Sequence, residues 1–222
     1  MKIGIICPME VEMEKLASVF DAKEYKKGIF KASLSSGSEL YIALSGIGKV
    51  NAAASTQRLI DLTGSDLIIN SGVAGGLNPN LGIGEIVISA DSVYHDFNPL
   101  SLLDEYSPFG KIFKADKELI ALAEKACIEN GIKYKVGTVA TGDRFVADND
   151  DKNRIINDFG ADCVEMEGAA VSHVCVLNGV RFIIIRSLSD FADDTAETHN
   201  DNEKPAADNA ATITEYIIKN LI

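Results

Sequence analysis

Short runs of β-branched and other apolar residues alternate along the chain with longer stretches in which apolar residues recur every three or four positions. That alternation predicts strand–helix crossover units, and so a single-domain α/β fold with a mixed, mostly parallel central sheet flanked by helices. "KIGIIC" reads as the first strand. Behind it Met9, Met13, Leu16, Ala17 and Phe20 share a helical face, while Glu10, Glu12 and Glu14 load the helix start, where the backbone dipole favours anions. "KGIFKASLS" and "ELYIALS" read as a hairpin-like pair around Ser35 to Ser38, followed by the alanine-rich helix "KVNAAASTQRLIDL". "DLIIN" and "EIVISADSV" are the next strands. "DKELIALAEKACIENG" is the clearest helix, opened by Asp116 as a cap and stopped by Gly131. "KVGTVA", "DCVEM" and "RFIIIRSL" complete the strands, with helices expected near Glu167 to Leu177 and Glu203 to Leu221. One stretch, Phe97 to Phe113, is apolar but carries prolines and no clean period, which marks a functional or interfacial loop rather than an ordinary surface excursion.

Composition narrows the function more than the fold. Of 222 residues, 46% are hydrophobic and 24% charged, ordinary proportions for a folded globular chain. The net charge of −12 opposes a polyanion, so nucleic acid is not an expected partner, and neutral or zwitterionic small molecules fit better. No run of apolar residues reaches membrane-spanning length and the first ten residues do not form a secretion signal, so a cytoplasmic protein away from membranes is expected. Cys7, Cys127, Cys163 and Cys175 lie far apart in apolar settings and read as reduced core residues. His95, His173 and His199 show no ligand spacing, and "DNDDKN" lacks the glycine of a calcium loop, so neither metal nor other cofactor is expected.

Polar residues gather where predicted strands end. Glu12 follows the first strand, Ser45-Gly46 follows "ELYIAL", Ser71-Gly72 follows "DLIIN" and Thr141-Gly142-Asp143 follows "KVGTVA". Glu165 and Glu167 end "DCVEM", and Asp190 closes "IIIRSLSD". In open parallel sheets the ligand crevice lies at the carboxyl ends of the strands, so these residues are candidates for one cleft. "SGIGKVNA" lacks the third glycine of a dinucleotide fingerprint, and "NSGVAGGL" carries no phosphate code; ligand approach and tight packing explain its glycines equally well. Each acid also has a plainer reading: Glu12 as a charge in a first helical turn, Glu165 or Glu167 as a helix cap, Asp190 as a turn residue. Phe145 reads more readily as core, and His95 as structural. Arg186, inside an apolar strand, demands an acceptor.

Taken together, "GIICPMEVEME", "SGIGKVNAA", "NSGVAGGL", "TGDRFV", "VEMEGAA" and "RSLSDFAD" resemble the 5′-methylthioadenosine/S-adenosylhomocysteine nucleosidases of the purine nucleoside phosphorylase superfamily, in order from residue 1 to about residue 194. The resemblance implies hydrolysis of the bond between adenine and a 5′-thio-substituted ribose, without metal or organic cofactor. It implies Glu12 as the base that activates water, and Asp190, oriented by Ser189, as the acid that protonates the purine N7. Glu167 would hold the ribose hydroxyls beside Met166, Arg186 would help order the water, Phe145 would stack on adenine and the backbone of Val146 would read the purine edge. Glu165 receives no role. The chemistry is consistent: the sugar gains positive charge as the base gains negative charge, so the site needs a proton donor near one and anions near the other. Two departures stand out. Val73 replaces a serine common in the family, which weakly favours water over phosphate as nucleophile. The segment after His95 also differs, although that neighbourhood is shared between subunits in this family, so a homodimer with loop 97–113 near the partner's site is expected. Phosphorolysis, and nucleoside binding without turnover, are the competing readings.

Overall fold

The computed structural model describes residues 1–107, 110–196 and 201–221. Pro108 and Phe109 of the Phe97 to Phe113 stretch, and His199, lie outside the described residues. Strand β1 (Lys2–Cys7) leads into helix α1 (Glu10–Val19), then β2 (Lys23–Lys26), β3 (Ile29–Ser33), β4 (Glu39–Leu44), α2 (Lys49–Thr63) and β5 (Leu67–Gly76). The second half runs β6 (Ile86–Tyr94), α3 (Ser101–Tyr106), β7 (Phe113–Lys114), α4 (Lys117–Glu129), β8 (Tyr134–Thr141), α5 (Asn149–Phe159), β9 (Cys163–Glu165), α6 (Gly168–Asn178), β10 (Arg181–Asp190) and α7 (Glu203–Asn220).

All of the described strands join one mixed sheet with the order β10-β6-β8-β9-β5-β1-β4-β3-β2 and β7 beside β6. The longest pairings, β5 with β10, β6 with β8 and β1 with β4, are parallel. The expectation of an open sheet needs correction. Because β5 pairs with β10 as well as with β9 and β1, the strands β5, β10, β6, β8 and β9 close on themselves into a small barrel. Closure follows from length: β5 and β10 each carry ten residues, and β5 pairs with β1 over its first half and reaches β9 with its last residues, Gly75 and Gly76. Their far ends, rich in small and polar residues, therefore meet at the barrel mouth instead of breaking into turns.

The core lies between this sheet and its helices. Ile3, Ile5, Ile69, Ile183 and Ile185 are fully buried, as continuous apolar strands covered on both faces must be. Helix α7 packs on β5, β10, α1 and α4 through Ala206, Ala210, Ile213 and Ile217, and the alanines let its backbone come close. Asp116 caps α4 as expected, accepting from the backbone N–H groups of Glu118 (3.0 Å) and Leu119 (3.1 Å). Among the described residues, no helix is long and apolar enough to cross a membrane.

Three stretches differ from the sequence reading. Strand β2, "KEYK", is exposed on both faces and so carries no alternation to detect. The acidic "NDDKNRIINDF" forms α5, capped by Asp148, whose carboxylate accepts from Asp151 N–H at 2.8 Å; only Ile155 is fully inside, too little for an apolar stripe. The Phe97 to Phe113 stretch is not all loop, since it holds α3 and the start of β7.

Candidate active site

The barrel mouth gathers the side chains that were scattered in sequence. Glu12 sits in the first turn of α1, immediately after β1. One of its carboxylate oxygens accepts from Met9 N–H at 2.8 Å and the other from Val73 N–H at 2.9 Å. The helix-start reading and the cleft reading are thus both true: the same side chain closes its own helix and is held against β5. Burial pushes its carboxyl up to about 7, against the opposing pull of Arg186 at 3.9 Å.

Ser71 and Gly72 do not end their strand, contrary to the sequence reading, because β5 continues through them and Val73 to Gly76. The glycines there serve the approach of other side chains. A Cβ on Gly72 would lie 2.9 Å from the Glu12 carboxyl carbon, and closer still to its Oε1 and to Arg186 Nη1. A Cβ on Gly75 would lie 2.8 Å from Ala192 Cβ and 3.0 Å from Asp190 Oδ1. β5 is bare where the acids approach it.

Arg186, in the middle of β10, is the largest fully buried side chain. Its guanidinium donates to Asn70 Oδ1 (2.7 Å), to the Val73 carbonyl (3.3 Å), to Glu165 Oε2 and to Glu167 Oε2 (3.5 Å). Burial alone would make the guanidinium less basic, but Glu165, Glu167 and Glu12 outweigh it and raise its pKa. The acceptor demanded by the sequence is therefore supplied four times over.

Glu165, left without a role above, is the clamp of this cluster. Besides Arg186 it binds the Thr141 hydroxyl, and it accepts from the backbone N–H groups of Glu167 (3.0 Å) and Gly168 (2.7 Å). It thereby caps α6 from two residues upstream of Glu167. Glu167 is freed from capping and turns the other way, accepting from Gly48 N–H at 2.8 Å. Burial, and then the neighbouring Glu165, raise the Glu167 carboxyl far above the usual range.

Asp190 ends β10 just past an irregularity in its pairing with β5. Ser189 Oγ donates to one of its oxygens at 2.9 Å and Ala192 N–H to the other at 2.8 Å. Phe145 is 42% exposed, which removes the core reading and leaves its ring on the rim. Its loop is tied to the start of α2: Asp143 accepts from Lys49 N–H at 2.8 Å, and Asp96 accepts from both Asp143 N–H (2.8 Å) and Lys49 Nζ (2.6 Å).

These parts enclose a cavity of about 350 Å³. Glu12, Val73, Phe145, Met166, Glu167, Ser189 and Asp190 all line it. Val146 lines a smaller hollow that shares Phe145, Met166 and Asp190. Arg186 is not on the wall; it stands behind it, in contact with the carboxylates. Sequence reasoning missed Pro8, Met9, Ile47 and Glu203, which also line the cavity. Ile47, an apolar residue between two glycines in "SGIGK", was the only one with a local signal. Among the described residues, no group of three or more His, Cys, Asp or Glu side chains is arranged to hold a metal ion.

A largely apolar cavity with convergent carboxyl groups and an exposed aromatic ring, at the mouth of a closed mixed sheet, defines a small-molecule site of nucleoside size. The family model described as the phosphorylase superfamily matches residues 2–221, which places the chain in that class. The nucleosidase of Bacillus velezensis is 40% identical over 209 residues, covering 86% of this chain and 87% of that one. The structure of the nucleosidase from Neisseria meningitidis, in complex with methylthio-immucillin-A, superposes with a TM-score of 0.92 at 33% identity, covering 99% of each chain. Futalosine hydrolase of Helicobacter pylori also superposes with a TM-score of 0.92, at 30% identity, covering 99% of this chain and 97% of that one. Within the superfamily, the chain belongs to the 5′-methylthioadenosine/S-adenosylhomocysteine nucleosidase family.

Gly72 gives this geometry a direct test. Gly72→Ala is expected to push Glu12 and Arg186 apart and to cost about 1–3 kcal/mol in denaturant unfolding, with loss of ligand binding by calorimetry. Wild-type stability and binding in that variant would show that the close approach is not required.

Proposed function

We propose that the chain hydrolyses the N-glycosidic bond of 5′-methylthioadenosine, S-adenosylhomocysteine or both, releasing adenine and the 5′-thio-substituted ribose. The observation that carries this reading is the meeting of Glu12, Glu167 and Asp190, from three separate elements, around one cavity beside Phe145. Further support comes from relatives that bear the nucleosidase name over most of their length.

The chemistry follows from the placement. Phe145 stacks on adenine, and the backbone of Val146 reads the purine edge from the adjoining hollow. Asp190, steadied by Ser189, delivers a proton to N7 so that adenine leaves as a neutral base. Glu167 accepts from the ribose hydroxyls beside Met166. Glu12, ionised, takes a proton from a water that attacks the anomeric carbon, and the positive charge developing on the sugar is matched by the carboxylates around it. Arg186 contributes by positioning: it fixes Glu12 and Glu167 from behind, and through them the water. Val73 offers no side-chain donor where a phosphate nucleophile would want one, which favours water.

We place the reaction in the cytoplasm; the four cysteines are buried free thiols, which suits a reducing compartment. A homodimer also fits. Tyr106 (73% exposed), Ile112 (47%) and Phe97 (38%) are apolar side chains left exposed along the 97–113 segment, and the Lys49–Asp96 pair joins the start of that segment to the α2 start beside the cavity. Sedimentation at micromolar concentration is expected to give twice the chain mass of 23.8 kDa, and a lone 23.8 kDa species would remove the dimer.

Adenine release from methylthioadenosine is expected in phosphate-free buffer, and Asp190→Asn is expected to lower it roughly 10²–10⁴-fold while binding persists. Product that forms only with added phosphate would make the protein a phosphorylase, binding without any adenine release would make it a carrier, and near-normal turnover in the variant would take Asp190 out of the mechanism.

A base that must be ionised, with its carboxyl raised from 4.5 to about 7, gives activity that falls as pH falls. On the acid side, kcat/KM is expected to rise about tenfold per unit from about pH 5 and to bend over near 7, where Glu12 ionises. An acid limb near 4.5 instead would deny Glu12 this role.

A further inference from the structure

The cavity has a stretch of wall that the bond-breaking step does not use. The hollow formed with Phe145, Val146 and Asp190 marks the end where the base sits. Pro8, Met9, Ile47 and Glu203 line the larger cavity but not that hollow, so they face its other part. A nucleoside held by its base at one end and by its ribose hydroxyls on Glu167 directs its 5′ carbon toward this remaining wall.

Three of these four side chains are apolar and suit a thioether chain. Glu203, in the first turn of α7, is not apolar. It is half-buried, and no described residue pairs with its carboxylate. Lys204, its neighbour in sequence, turns away to Glu14 (3.6 Å) and Asp208 (2.9 Å). The Glu203 charge is felt inside the cavity, since after burial it is among the influences that raise the Glu12 carboxyl. The choice of 5′-substituent falls to the wall residues that it meets.

We infer that Glu203 selects substrates by the charge of the 5′-substituent, favouring a 5′-thio chain that ends in an ammonium group over an uncharged one, and an uncharged one over a chain that ends in a carboxylate. The inference rests on the nucleosidase reading above and adds to it the residue that discriminates among substrates. The physical basis is a carboxylate with no partner among the described residues, beside apolar wall, where an incoming cation gains a partner at little desolvation cost to Glu203 and an incoming anion meets repulsion.

Three adenosines carrying methylthio, aminopropylthio and carboxyethylthio groups at the 5′ position separate the possibilities, with adenine release measured at low salt to limit screening. Wild-type kcat/KM is expected to fall in the order amino, methyl, carboxy. Glu203→Gln should compress the amino-to-methyl and methyl-to-carboxy ratios by roughly five- to tenfold each, mainly through KM. Glu203→Lys should invert the order. A common change for all three substrates, or unchanged ratios in both variants, would overturn the role of Glu203 and leave the nucleosidase reading standing. Failure of the wild type to release adenine from any of the three would instead overturn the nucleosidase reading and this inference with it.

Discussion

The site depends on one buried cation. Arg186 holds Glu165, Glu167 and Glu12 within 4 Å of its guanidinium nitrogens, and those acids come from β9, the cap of α6 and α1. Each carboxylate would be costly alone in this environment, and together they would repel. A single guanidinium does not neutralise three acids; burial above all, and for Glu167 the neighbouring Glu165 as well, leaves the carboxyls of Glu12 and Glu167 raised. What Arg186 does is set geometry: its planar fork reaches several acceptors at once, which a lysine ammonium on a flexible stem would not do. Removing it would leave Glu165 buried with an unpaired charge, a loss of about 3–5 kcal/mol by analogy with broken buried pairs.

That arrangement requires a strand thin enough to be approached. β5 runs between β1 and β10, so Glu12, from the helix that follows β1, and Arg186 and Asp190, from β10, must approach it from opposite edges. Gly72 and Gly75 make the crossing possible, and the β5–β10 pairing that closes the barrel sets Arg186 beside Gly72 and Asp190 beside Gly75. Fold and chemistry meet in this pairing, where a structural ladder doubles as the ruler that spaces the acids.

The sequence made much of this legible because strand ends and apolar runs are local signals. The first strand, the capped helix α4, the hairpin of β3 and β4, and the positions of Glu12, Glu167 and Asp190 at element ends all follow from residues close together in the chain. What stayed hidden was set by distant partners. β2 and α5 bury too little to show a period. Barrel closure depends on β5 pairing with a strand more than a hundred residues later, which no local pattern announces. Glu165 looked interchangeable with Glu167 as a cap until Thr141 and Arg186 claimed it. Glu203 sits in an ordinary helix start and acquires meaning only because α7 packs beside α1.

The excess of acid over base also explains what the cavity is tuned to receive. With its carboxyl raised above the value in the unfolded chain, Glu12 binds its proton more tightly in the native state; its contribution to stability is fully present below about 4.5 and is lost as pH rises through about 7, a loss of about 3 kcal/mol. At neutral pH the protein therefore carries a strained anion that folding alone would discard. A sugar gaining positive charge as its bond to adenine breaks is the partner that relieves this strain, and it exists only in the transition state, so the stabilisation accelerates the reaction instead of merely tightening ground-state binding. Glu203 extends the same logic outward along the wall. A cavity already short of cations favours positive charge wherever the substrate can present it, at the anomeric carbon during the reaction and at the end of the 5′ chain before it.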